Sequence, residues 1–184
     1  MLKTVALALS ILAALVLPAA AQATDVNPED VLVMELPAGR VLIRLRPDLA
    51  PMHAQRLRLL AREGFYDNVP FHRVIEGFMA QTGDPTGTGM GGSSYPDLAA
   101  EFSPRPYERG VVGMARAADP NSANSQFFIM FGTNPSLNGQ YTVVGEVIEG
   151  MDLIDAIKRG DPRRNGMVAE PDRITRIRVL ADQR

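Results

Sequence analysis

The sequence predicts a mainly β domain in which eight short strands and two helices fit a barrel with capped ends. Eight apolar runs of four to seven residues are separated by turns containing Gly, Pro, Ser or Asn. Two further segments carry their apolar residues at helical spacing. A chain of 184 residues, 46% apolar and 22% charged, has the composition of one globular domain.

Composition also excludes whole classes of chemistry. The chain has no Cys, which removes disulfide frameworks, thiolate nucleophiles and Cys-ligated zinc. Its formal charge is −2 and no basic block exceeds two residues, so the electrostatic footprint of a nucleic-acid binder is missing.

The N-terminus reads as a secretory signal peptide. Lys3 supplies the positive start, Val5 to Leu17 is apolar apart from Ser10, and Ala21-Gln22-Ala23 gives a small-x-small cleavage pattern. Cleavage is expected after Ala23, leaving residues 24–184 as a periplasmic domain. The apolar run is shorter than the ~20 residues of a spanning helix, so no stable membrane insertion is expected after cleavage.

The strands begin with Val31–Leu36 and Arg40–Arg46, joined at Pro37-Ala38-Gly39. In the second, Val41, Ile43 and Leu45 share one face and Arg40, Arg44 and Arg46 the other, as in a hairpin with one buried side. From Pro51 the period becomes helical, with Ala50, Ala54, Leu57 and Ala61 in phase and Gly64 beyond the end. His53 on this helix is expected to be exposed. Further strands are expected at 71–75, 78–82, 111–115, 127–130, 142–148 and 174–180. A second helix, Met151 to Arg159, has early acids and late bases that complement its dipole. Residues 83–106 and 118–124 read as long ordered loops.

The segment Gly87-Thr88-Gly89-Met90-Gly91-Gly92 satisfies G-x-G-x-x-G, the pattern of a dinucleotide-binding turn. Such a turn needs a helix directly behind it, and Ser93-Ser94-Tyr95-Pro96 follows instead, so the glycines are read as a turning loop that lets backbone approach a ligand. With only His53 and His72, and no G-x-S-x-G or H-E-x-x-H, hydrolase triads and zinc proteases are unsupported, and no metal or other cofactor is expected.

The informative stretch is Phe71-His72-Arg73-Val74-Ile75-Glu76-Gly77-Phe78-Met79-Ala80-Gln81-Thr82-Gly83-Asp84. As two strands meeting near Glu76-Gly77, it sets the cation of Arg73 and the amide of Gln81 beside Phe78 and Met79, an unusual mixture for a core. This stretch resembles the active-site signature of the cyclophilin family of peptidyl-prolyl cis-trans isomerases. Gly113 to Ala117 with Asn121 to Ile129, and Leu137 to Gly145, resemble two further blocks of that family, and the likeness runs from about Val31 to Leu180.

The resemblance implies an eight-stranded antiparallel closed β-barrel capped by two α-helices. It implies that Arg73 is catalytic, that Phe78, Met79, Phe128 and Leu137 line a socket for proline, and that Gln81 and Gln126 contact the bound peptide. Ala115 and Arg116 match positions running alongside the residue before proline, and Gly89 lines the same groove; His72 also matches the family's motif, but a ring in a packed strand is read as structural. Tyr141 stands where the family often has histidine, Glu76 where it often has proline, and Ser136 where it often has tryptophan; the last implies weak cyclosporin binding. The implied substrates are proline-containing unfolded or partly folded polypeptides, handled by a monomer. The alternative from another class is a non-catalytic module that holds proline segments for a chaperone.

Overall fold

The first two strands pair as expected. The computed structural model describes residues 26–183, so the expected signal segment, residues 1–23, lies outside the described residues. Strand β1 (Val31–Leu36) and β2 (Gly39–Leu45) form an antiparallel hairpin with Leu36 opposite Gly39, and β2 buries Val41, Ile43 and Leu45. Helix α1 (Pro51–Arg62) follows, then β3 (Arg73–Ile75), β4 (Met79–Thr82), β5 (Val111–Met114), β6 (Phe127–Met130), β7 (Val143–Glu149), helix α2 (Met151–Asp155) and β8 (Arg176–Val179).

All eight strands join one antiparallel sheet in the order β3-β4-β6-β5-β7-β2-β1-β8. The sheet is an open half-barrel, not the closed barrel expected. Closure would need a ladder between β3 and β8, but β3 is only three residues long and its free edge is taken by the irregular chain before β8. Val74 N–H donates to the Gly166 carbonyl (2.8 Å) and Val168 N–H to that of His72 (3.1 Å). Phe71 N–H reaches Asp172 (2.9 Å) and Ile174 N–H reaches Val69 (3.0 Å). The edge is covered without being paired to a strand.

Period-2 alternation divides the apolar side chains between two clusters. Val112, Phe127, Ile129 and Val144 join the main core, which also takes in Ala54, Leu57, Leu60 and Ala61 of α1. Val111, Phe128, Met130 and Val143, their neighbours along the same strands, join a smaller cluster with Met79 and Tyr107. Against that smaller cluster pack the half-buried Phe78, Ala115, Leu137 and Tyr141.

Two expectations about the helices are corrected. His53 is fully buried, because the loop of residues 83–106 folds over α1. The N-cap residue Ala50 has no side chain to cap the helix, and Glu101 from that loop does so instead, accepting from Met52 N–H and His53 N–H at 3.1 Å and from His53 Nδ1 at 2.6 Å. Helix α2 stops at Asp155, short of Arg159. The Lys158 N–H turns to the Asp172 carboxylate (2.7 Å), and the Arg159 guanidinium leaves the helix to pair with Glu76 (2.5 Å) and cover the Phe131 ring.

Candidate active site

One rung of the sheet carries the centre of the site. Arg73 of β3 lies opposite Gln81 of β4, Gln81 opposite Phe128 of β6, and Phe128 opposite Gly113 of β5. Neighbouring residues on one face of a sheet meet side by side, so the cation, the amide and the aromatic ring follow in line. Gly113 is required in its place: a Cβ there would lie 2.5 Å from both Phe128 Cζ and the Tyr107 hydroxyl. The space it leaves lets Tyr107 stack on Phe128, with ring centroids 5.7 Å apart, while Tyr141 meets Phe128 edge-on at 5.8 Å.

Around this rung opens an apolar cavity of about 150 Å³. Phe78, Met79, Phe128 and Leu137 form its apolar lining, Ala115 and Tyr141 complete the wall, and Arg73 and Arg116 bring the charge. Gln81, Gly89 and Gln126 do not line this socket. Gly89 and Gln126 line a second cavity of about 500 Å³ that shares Ala115 and Arg116 with the first, and Gln81 links the two sides.

The link is a chain of hydrogen bonds. Arg73 Nη1 donates to Gln81 Oε1 (3.0 Å), Gln81 Nε2 to Gln126 Oε1 (2.9 Å), and Gln126 Nε2 to the carbonyls of Gly89 (3.1 Å) and Gly91 (2.8 Å). Burial lowers the Arg73 pKa somewhat, partly opposed by Tyr141, and an arginine stays charged through such a shift.

The glycine-rich loop holds an anion of its own. The buried carboxylate of Asp84 accepts from the N–H groups of Thr86 (2.8 Å), Gly89 (2.7 Å) and Gly91 (3.1 Å), and from the Thr86 hydroxyl. Amides that a dinucleotide turn would offer to phosphate are thus occupied internally. Burial pushes the Asp84 pKa up, but these hydrogen bonds prevail and bring it down to about 2. His72, packed beside Gly89, is buried, neither ring nitrogen has a hydrogen-bond partner among the described residues, and burial lowers its pKa.

Sequence reasoning missed Asn165. It follows the 3-10 turn Pro162–Arg164 in the left-handed region, with φ 53°. Its carbonyl accepts from Arg73 Nε and its Oδ1 from Arg73 Nη2, both at 3.0 Å. The only local signal was Asn-Gly, a turn dipeptide in which asparagine tolerates this conformation.

The profile of the family described as cyclophilin type peptidyl-prolyl cis-trans isomerase/CLD matches residues 31–179. The chain belongs to this family. A curated relative from Brucella suis, named as a probable peptidyl-prolyl cis-trans isomerase, is 52% identical over 96% of both chains. Peptidyl-prolyl cis-trans isomerase B of Bacillus subtilis is 41% identical over 67% of this chain and 86% of its own. Among solved structures, a cyclophilin from Hirschia baltica superposes with a TM-score of 0.76 at 27% identity, covering 85% of this chain and 76% of that one. A cyclophilin-type isomerase from Cryptosporidium parvum, crystallised in the presence of the dipeptide ala-pro, gives 0.73 at 31% identity over 81% and 98%. This cyclophilin therefore catalyses cis-trans isomerisation of X-Pro peptide bonds.

Proposed function

We propose that this cyclophilin is an exported, monomeric folding enzyme in which Arg73 stabilises the twisted X-Pro amide over the socket of Phe78, Met79, Phe128 and Leu137. The reaction is a rotation against amide resonance, with a barrier of about 18–20 kcal/mol, and forms no bond to the protein. As the bond twists, the prolyl nitrogen regains a lone pair and becomes a hydrogen-bond acceptor. A donor aimed at that nitrogen binds the twisted state better than the planar one, and only such a difference accelerates the step.

The observation that carries this reading is how Arg73 is held. A guanidinium has five N–H donors. Gln81 and Asn165 take one each from Nη1, Nη2 and Nε. Among the described residues both terminal nitrogens keep a free N–H, on a head fixed from two sides at the wall of an apolar socket. One charged hydrogen bond of about 1.5–3 kcal/mol gives roughly one to two powers of ten in rate. The socket supplies the rest by gripping the ring while the preceding carbonyl swings, and Gln81 holds Arg73 in place from outside it. Gln126 and Gly89 would contact the peptide beyond the proline socket, along the second cavity.

Substrates on this reading are unfolded or partly folded polypeptides whose X-Pro bonds isomerise slowly without help. Export rests on the Lys3, Val5–Leu17 and Ala21-Gln22-Ala23 pattern. Mass determination of the protein recovered from the periplasm checks it: an N-terminus at Thr24 is expected, and an uncleaved chain in the cytoplasm would refute export. The catalytic role is tested by the isomerisation rate of an Ala-Pro peptide with the parent and with Arg73→Ala. The variant should lose most of the acceleration while still binding peptide. Equal rates would remove Arg73 from the chemistry, and binding without acceleration by the parent would make the groove a recognition site.

A further inference from the structure

The socket is lined by two cations and no acid. Arg73 and Arg116 both border the 150 Å³ cavity, and none of the residues lining it is Asp or Glu. Among the described residues, neither guanidinium has a carboxylate within ion-pair distance, whereas Arg58, Arg62, Arg109 and Arg178 each grip an aspartate. Arg116 is instead fixed by neutral groups. Its Nε and Nη2 donate to the Gln140 carbonyl (3.2 and 2.9 Å), its Nη1 donates to the Ala117 carbonyl (2.9 Å), and its guanidinium lies over the Tyr141 ring at 4.5 Å from the centroid.

These contacts hold the head in place and leave its charge uncancelled. Arg116 also borders the 500 Å³ cavity, so it stands where a peptide would leave the proline socket for the groove. The one acid lining that groove, Asp97, accepts a hydrogen bond from Asn124 Nδ2 (2.9 Å) and makes no ion pair with Arg116.

We infer that Arg116 sets a substrate preference, favouring an anionic side chain on the residue immediately before proline and disfavouring a cationic one. The inference rests on the isomerase reading, with proline in the apolar socket and the preceding residue along Ala115 and Arg116. A glutamate or aspartate there completes the ion pair that Arg116 lacks, and the second cation, Arg73, adds to the field. A lysine meets two like charges. Because the junction is open to water, the preference has the scale of an exposed ion pair, about 1.5- to 5-fold between neutral and acidic residues. It should fade with salt, since the Debye length falls from about 10 Å at 0.1 M to about 3 Å at 1 M.

The test compares kcat/KM for capped peptides with Glu-Pro, Ala-Pro and Lys-Pro, measured by NMR exchange at low and high salt, for the parent, Arg116→Gln and Arg116→Lys. Expected is the order Glu, Ala, Lys at low salt, compressed by 1 M salt and by Arg116→Gln. Arg116→Lys, which keeps the charge, should retain the order even if its overall rate falls. Acceleration of all three peptides to the same degree, or a Glu-to-Lys ratio unchanged in Arg116→Gln, overturns the inference and leaves the isomerase reading standing. Failure to accelerate Ala-Pro at all overturns both.

Discussion

Arg73 and Asn165 are joined twice, Nε to the backbone carbonyl and Nη2 to the side-chain Oδ1, each at 3.0 Å. The two bonds fix both the position and the plane of the guanidinium, and the left-handed backbone of Asn165 is what turns carbonyl and side chain toward the same arginine.

Asn165 is therefore expected to act on turnover through Arg73. Asn165→Ala removes one acceptor and disfavours the backbone that presents the other. It should lower kcat/KM about tenfold, mostly through kcat, because a charged hydrogen bond is worth about 1.5–3 kcal/mol and Arg73 is needed most in the twisted state. Asn165→Gly keeps the backbone conformation and its carbonyl, so it should retain more activity. Steady-state kinetics on an Ala-Pro peptide check this. A variant that raised only KM, or lost activity in proportion to lost folded protein, would reduce Asn165 to a structural role.

Gly113 predicts a different failure. Its Cβ in Gly113→Ala would press on Phe128 and Tyr107, both packed in the smaller cluster. Overpacking of this kind costs about 1–3 kcal/mol of stability. Phe128 lines the socket, so a shift of its ring should lower peptide affinity together with stability. Denaturant unfolding and peptide titration on one sample measure both, and unchanged affinity would show that the ring does not shape the socket.

Much of this was legible in the sequence because it is local. The unbroken apolar run Phe127-Phe128-Ile129-Met130 gave β6 with its boundaries, and the change of period at Pro51 gave the start of α1. Arg73, Phe78, Met79 and Gln81 lie within nine residues, so a hairpin alone brings them together. What escaped is long-range. Asn165 reaches Arg73 across 92 positions of sequence, and Glu101 buries His53 from a loop whose composition only marked it as a loop. Closure of the sheet depended on whether β3 and β8 meet, and the chain at 166–174, which has no strand pattern of its own, decided that they do not.

Asp84 ties acid stability to the glycine-rich loop. Its folded pKa, about 2, lies below the ordinary 3.8, so the carboxylate contributes stability that is present above pH 3.8 and lost as pH falls toward 2. Thermal unfolding midpoints between pH 5 and pH 2 should fall more steeply for the parent than for Asp84→Asn, which also starts less stable at pH 7. Parallel acid limbs in the two proteins would show that the loop does not depend on the charge.

His53 sets the behaviour at milder acidity. Its ring is buried, Nδ1 is engaged by Glu101 and Nε2 has no partner among the described residues, so protonation would place a second N–H where none of them accepts it. Burial lowers its pKa, only partly opposed by Glu101. The unfolded chain therefore takes up the proton first. Stability is complete above the ordinary histidine value of 6.5 and declines as pH falls through the lower folded value, by at most about 1.4 kcal/mol per pH unit for one histidine. His72, also depressed by burial, adds to the same decline. Denaturant unfolding at pH 7, 6 and 5 should show a shallower loss in His53→Gln than in the parent, with the His72 share remaining. Because Glu101 joins α1 to the loop that ends at Pro106, the amides of Met52 and His53 in the parent should also lose protection between pH 7 and pH 5, their exchange slowing less than the intrinsic rate does. Protection of those amides unchanged between pH 7 and pH 5 would place the acid sensitivity elsewhere.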